Sequence, residues 1–163
     1  AGRMTPWAED PSPSLCAVFG DIARTRMADV PICNPALQVE AIAFRRLPEG
    51  PWVGVMITPW AINLLCLPAV GAAWPDLPAC SKYSWQFPSG FYEFTVAEEA
   101  RLGIYHLCSL FSPAQEFPSQ EQARLTALAI AHALFGQPID EPAEPPATVE
   151  KRPSRRAFLG LGR

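Results

Sequence analysis

Lys82-Tyr83-Ser84-Trp85-Gln86-Phe87-Pro88-Ser89-Gly90-Phe91-Tyr92-Glu93-Phe94-Thr95-Val96 is the most cleanly alternating stretch of the chain. Tyr83, Trp85 and Phe87 share one parity and Lys82, Ser84 and Gln86 the other, the period-2 pattern of a half-exposed antiparallel strand. Pro88-Ser89-Gly90 is a turn cluster, so Phe91–Val96 reads as the returning strand.

The same period holds on both sides of this hairpin. Residues 38–46 predict a strand with Ile42 and Phe44 on one face and Val39, Ala41 and Ala43 on the other. The cluster Pro48-Glu49-Gly50-Pro51 turns it into residues 52–58. Residues 60–67 read as a third apolar strand, with a short helix as the alternative, and Gly103 leads into residues 104–111. Only the ends change period. Leu15, Val18, Phe19, Ile22 and Ala23 recur at three- and four-residue intervals, predicting a helix from about Ser14 to Asp29 with Ser12 as N-cap. Ser119-Gln120-Glu121-Gln122 has capping-box spacing. It opens a helix whose apolar face is expected to be Leu125, Leu128, Ala129, His132 and Phe135, closed by a left-handed Gly136. Helix, strands, helix predicts an α+β two-layer sandwich, an antiparallel sheet with the N- and C-terminal helices packed on one face.

Residues 1–13 are polar and Pro-rich and are expected to be flexible; residues 14–136 form the folded domain. In residues 137–163, five prolines among Glu and Ala are too poor in large apolar residues to pack, and this part reads as a disordered tail. Residues 1–136 carry eight Lys/Arg against twelve Asp/Glu, whereas residues 151–163 carry five cations and no acid. An acidic body is a poor match for nucleic acid. No run of 18 apolar residues or secretory leader is evident, so the protein is expected not to be membrane-embedded and to be cytoplasmic. Five scattered cysteines without a Cys-x-x-Cys fit reduced, buried thiols of that compartment.

Chemistry-bearing motifs are few. Phosphate loops, zinc spacings and nucleophile elbows are missing from the sequence, so no catalytic residue, metal or cofactor is expected. A Cys/His enzyme built on His106 and Cys108 is the weakest of the readings. What the sequence does offer is aromatic and proline density. Trp52, Pro59, Trp60, Trp85, Phe87 and Phe94, with the acid Glu93, are the candidate partner-binding residues. An apolar groove or free sheet edge there would accept an extended peptide, whose backbone satisfies the edge. In the tail, Ser154-Arg155-Arg156-Ala157-Phe158-Leu159 matches the twin-arginine export consensus. Only residues 160–163 follow, so no apolar region completes a signal. Ser154, Arg155, Arg156, Phe158 and Leu159 therefore read as a mimic of a client's leader, able to occupy the surface that leader uses.

These stretches carry a family resemblance. Val30-Pro31-Ile32-Cys33-Asn34-Pro35-Ala36-Leu37, Gly50-Pro51-Trp52-Val53-Gly54-Val55-Met56-Ile57-Thr58-Pro59-Trp60 and Asn63-Leu64-Leu65 resemble blocks of the HybE/HupJ family of [NiFe]-hydrogenase assembly chaperones. Phe87-Pro88-Ser89-Gly90, Glu93-Phe94 and Cys108-Ser109-Leu110-Phe111-Ser112-Pro113 follow in the family's order, and the resemblance spans about residues 14–135. It implies a maturation chaperone that binds a hydrogenase small or large subunit precursor, including the small subunit's twin-arginine signal peptide, until assembly is complete. Other hydrogenase maturation proteins are further partners it implies, and a non-catalytic scaffold docking them through the tail is the alternative. Some relatives carry a rubredoxin module; its paired cysteines are missing from this sequence, so no iron is expected.

Overall fold

The computed structural model describes residues 5–136. Helix α1 (Ser12–Arg24) precedes six strands, β1 (Glu40–Arg46), β2 (Trp52–Ile57), β3 (Ile62–Leu67), β4 (Lys82–Phe87), β5 (Gly90–Glu99) and β6 (Gly103–Phe111), and helix α2 (Gln120–Phe135) closes the described chain. All strand pairs are antiparallel, in the order β1-β2-β3-β6-β5-β4. The α+β class and the antiparallel sheet are as read from the sequence, and residues 60–67 yield a strand, not a helix.

The placement of the helices is a correction. They do not share a face. Leu15, Val18 and Ile22 of α1 pack with Met56, Leu65, Leu67 and Tyr105. Ala123, Ala127, Ala131 and Leu134 of α2 pack with Val53, Val55, Ile57, Leu64 and Cys66. Odd and even residues of β2 and β3 thus serve different helices, because alternate side chains leave a strand on opposite faces. The sheet is a middle layer. That arrangement explains why residues 51–60 lack any charge: β2 is covered on both sides.

Local details also differ from expectation. The β1 register shifts between Ile42 and Arg45, where Ala43 takes a φ of 56°. This bulge turns Phe44 away from Ile42 and onto the α1 face with Val39 and Ala41. Phe44 lies over Gly54, where an added Cβ would stand 2.4 Å from the ring. Gly54→Ala is therefore expected to destabilise the fold by about 1–3 kcal/mol through overpacking. Urea titrations of that variant with and without Phe44→Leu check this; the smaller side chain should restore part of the loss.

Ser12 is not the cap of α1. That position is Pro11, which has no side-chain cap bond, and Asp10 Oδ1 accepts from the Ser12 N–H at 2.9 Å just ahead of the helix. Within the stretch read as flexible, Trp7 makes a fixed contact, its N–H donating to the Pro68 carbonyl at 2.8 Å beside a bridge to Ala69. In α2 the capping expectation holds, with the Ser119 hydroxyl accepting from the Gln122 N–H. Gly136, however, is extended and not left-handed. Asn34 is a buried hub. Its side-chain amide donates to the carbonyls of Ala114 and Phe117, its Oδ1 accepts from Ala36 N–H, and its own N–H donates to the Pro59 carbonyl. Three loops are tied at that residue, which satisfies polar groups that would otherwise cost free energy inside.

The tail, including Ser154, Arg155, Arg156, Phe158 and Leu159, lies outside the described residues.

Candidate functional site

The helices contact chiefly β1 and β2, at one end of the sheet. At the other end β4 is an edge, pairing among the described residues with β5 alone. The ladder fixes which backbone groups are left. Val96 uses both its N–H and its carbonyl toward the β4 side, to Ser81 and Cys80. Alternation then directs Phe94 and Tyr92 to Tyr83 and Trp85. The N–H and C=O groups of Lys82, Ser84 and Gln86 consequently point outward, away from the sheet. Their side chains are exposed as well.

Above this edge, on the α2 face, stands an aromatic cluster. The indole N–H of Trp85 donates to Nδ1 of His106 at 2.9 Å. Trp74 stacks on the imidazole with ring centroids 4.3 Å apart, and Tyr83 meets Trp85 edge-on at 5.0 Å. Trp74, Tyr83 and Trp85 are half-buried, while His106 is fully enclosed. Because Nδ1 accepts, the neutral ring carries its proton on Nε2, which has no hydrogen-bond partner among the described residues. Burial holds the His106 pKa down at about 4. The imidazole is a neutral fixture joining edge strand β4 to β6 beneath a half-open aromatic surface.

The predicted partner-binding residues do not form one surface. Trp85 lies in this cluster, and Glu93 is exposed on the opposite face of the hairpin, across from Ser84. Phe87 and Phe94 are core residues, the latter 0 % exposed, so neither reaches a partner. Their parity was legible, but parity alone does not say which face is sealed. Trp52 and Trp60 belong to the α1 face, with the Trp52 indole spent on the Trp7 carbonyl at 3.0 Å. Pro59 is half-buried in the β2–β3 turn, its carbonyl taken by Asn34. Tyr83 and Trp74 were not selected from the sequence. Tyr83 shares the parity of Trp85, a usable signal; Trp74 comes from an aperiodic loop, where its aromatic type was the only signal.

The second exposed feature corrects the reading of α2. Its buried stripe is Ala123, Ala127, Ala131 and Leu134, whereas Leu125 is 55 % and Leu128 45 % exposed and His132 is exposed. Small side chains let the helix sit low on β1 and β2, so the larger residues point outward. A groove at its C-terminal end is lined by Ala43, Arg45, Leu128, Ala131, His132 and Phe135. Arg45 stacks over Phe135 at 3.9 Å.

The Cys/His reading gains no geometry, since the His106 ring is enclosed and its Nδ1 is engaged by Trp85. None of the five cysteines is in a disulfide; Cys66 is buried, its thiol pKa pushed up by burial, but Cys80 is exposed, contrary to the expectation of buried thiols. Among the described residues no group of His, Cys, Asp or Glu is arranged to hold a metal ion, and no helix is long and apolar enough to cross a membrane.

Comparison with known proteins places this geometry. The family model described as "[NiFe]-hydrogenase assembly, chaperone, HybE" matches residues 10–161. Protein HoxT of Cupriavidus necator is 39% identical over 151 residues, covering 86% of this chain and 83% of that protein. The probable rubredoxin HupJ of Rhodobacter capsulatus is 40% identical over 146 residues, which are 90% of this chain but 51% of that protein, so the chain spans about half of its length. The solution structure of HybE from Escherichia coli superposes with a TM-score of 0.67 at 31% identity, covering 99% of this chain and 94% of that one. On this evidence the chain belongs to the HybE family of [NiFe]-hydrogenase assembly chaperones.

Proposed function

We propose that this protein is a non-catalytic, cytoplasmic maturation chaperone that holds a [NiFe]-hydrogenase subunit precursor by adding an extended segment of it to the free edge of β4. The client we assign is the small subunit with its twin-arginine leader. The observation that carries the reading is the β4 edge itself, with the outward backbone groups of Lys82, Ser84 and Gln86 beside the half-buried rings of Tyr83 and Trp85. An added strand satisfies those groups, while the rings supply apolar area at low entropic cost. Glu93, across from Ser84 and exposed, favours a cationic leader through screened, longer-range attraction. Cysteines outside any disulfide suit a reducing compartment.

The test uses Ser84→Pro. Proline removes an outward N–H and leaves the β4–β5 ladder intact, and edge strands tolerate it. The variant is expected to bind leader-bearing small-subunit precursor about tenfold or more weakly in calorimetry, a loss of about 1.4 kcal/mol or greater. Its circular dichroism should match that of the parent. Undiminished affinity refutes strand addition at this edge. Equal affinity of the parent for leaderless precursor refutes the leader as the bound segment.

A further inference from the structure

We infer that the β4 edge is also a self-association surface, where a second copy of this chain adds its own β4 antiparallel about a twofold axis at Ser84. The pairing needs no client; only its competition with one rests on the proposed function.

The two ends of the sheet are built differently. Edge strand β1 is defended: it carries Glu40, Arg45 and Arg46, and its register breaks between Ile42 and Arg45. Charges and bulges of that kind keep a further strand from pairing. Strand β4 has little of either. Its ladder to β5 runs unbroken from Lys82 to Phe87, and it holds no proline, no acid and a single cation. That cation is drawn back over the sheet, the Lys82 ammonium donating to Thr95 Oγ1 at 3.0 Å.

The bare edge is nearly palindromic. Lys82-Tyr83-Ser84-Trp85-Gln86 reads polar, aromatic, serine, aromatic, polar in both directions. A twofold axis beside Ser84 sets that residue against its copy, Lys82 against Gln86 and Tyr83 against Trp85. Because the N–H and C=O groups of Lys82, Ser84 and Gln86 point outward, these positions become the hydrogen-bonded pairs of the seam. Tyr83 and Trp85 fall in the non-hydrogen-bonded pairs, where side chains stand closest, giving an aromatic cross-strand pair on each side of the axis. Both rings are half-buried within one chain, so the second copy covers area left open. Charge permits the match. The two copies of Glu93, each across from Ser84 on β5, are kept about 14 Å apart by three strand spacings. That exceeds a Debye length at physiological salt. Other axes fit worse: one at Lys82 opposes two cations, and one at Gln86 sets Ser84 against Pro88, which has no N–H.

An isologous seam of this kind closes at two copies. One strand-to-strand contact is a small interface, so the pair is expected to be weak and concentration-dependent. Where the proposed function holds, the pair masks the edge that a client uses, and the client must displace the second copy.

Sedimentation velocity of the full-length chain, with no client present, is the test. The weight-average mass is expected to rise from 17.8 kDa toward twice that value with increasing concentration. Ser84→Pro removes the central N–H of both copies and should weaken the dimer about tenfold or more. Gln86→Glu sets a carboxylate opposite Lys82 at each end and should tighten it about threefold at low salt, a gain that high salt erases. Gln86→Lys should do the reverse, and the two Gln86 variants decide the matter if circular dichroism shows Ser84→Pro to be misfolded. Three results overturn the inference. They are a monomer at every concentration, a dimer indifferent to these substitutions, and assembly past two copies, the mark of a head-to-tail contact such as β4 on β1. Since no leader is in the sample, none of these outcomes depends on whether a client binds.

Discussion

Phe94→Ala should cost the fold about 3–5 kcal/mol, the range for emptying a buried aromatic site. The side chain is 0 % exposed and packs against Phe87 at 6.1 Å between centroids, within the cluster that α2 completes. The cluster it belongs to, with Leu64, Phe87 and Phe117, is apolar and closely packed, which limits how far neighbours can relax into the space its removal would leave. Phe91, three residues earlier on the same strand, is the internal control. It is 70 % exposed, and Phe91→Ala is expected to change stability by no more than about 0.5 kcal/mol. Guanidinium midpoints at constant m-value separate the two. A loss below about 1 kcal/mol at Phe94 would mean that β5 presents its other face to the core.

His106 should make the protein acid-sensitive well above the range where carboxylates titrate. In the unfolded chain its pKa is 6.5; in the fold, burial lowers it to about 4. Between those values the unfolded chain binds the extra proton, so stability falls as pH drops. The contribution is fully present above pH 6.5, erodes toward pH 4 and amounts to about 3 kcal/mol. Protonation also forces Nδ1 to carry hydrogen, which breaks the bond from Trp85 and loosens the edge strand. Chemical denaturation from pH 7 to 4 checks the slope, and His106→Gln should flatten it. A slope unchanged by His106→Gln excludes this residue as its source.

The strands were legible because alternation is a local property: Lys82–Phe87 and Gly90–Glu99 reveal themselves within a few residues of either strand. Which helix lies on which face is not local. Two apolar faces on β2 and β3 were compatible with one helix layer or two, and only tertiary packing decides. The α2 stripe was misread for a related reason. Leu125 and Leu128 outrank Ala123, Ala127 and Ala131 in hydrophobicity, yet alanines win where a helix must approach a sheet closely. Of the seven candidate residues, Trp85 stays half-buried at the edge and Glu93 exposed, whereas Trp52, Phe87 and Phe94, chosen on the same composition, are spent on the fold itself. Asn34 shows the converse: its stretch carried the family resemblance, and its side chain turns out to hold loops together.

A helix seated on methyl groups is smooth along its underside, and what pins it is at the ends. At one end Gln120 exchanges hydrogen bonds with the backbone of Gln38, and Arg124 clasps Glu40 with two bonds of 2.9 and 3.0 Å, keeping that carboxyl ionised below the usual carboxylate range. At the other, Phe135 is clamped between Arg45 and Phe87. The span behaves as a beam on two supports. Because these ties join α2 to β1 and to the end of β4, a force on its outer side is expected to reach those two strands first.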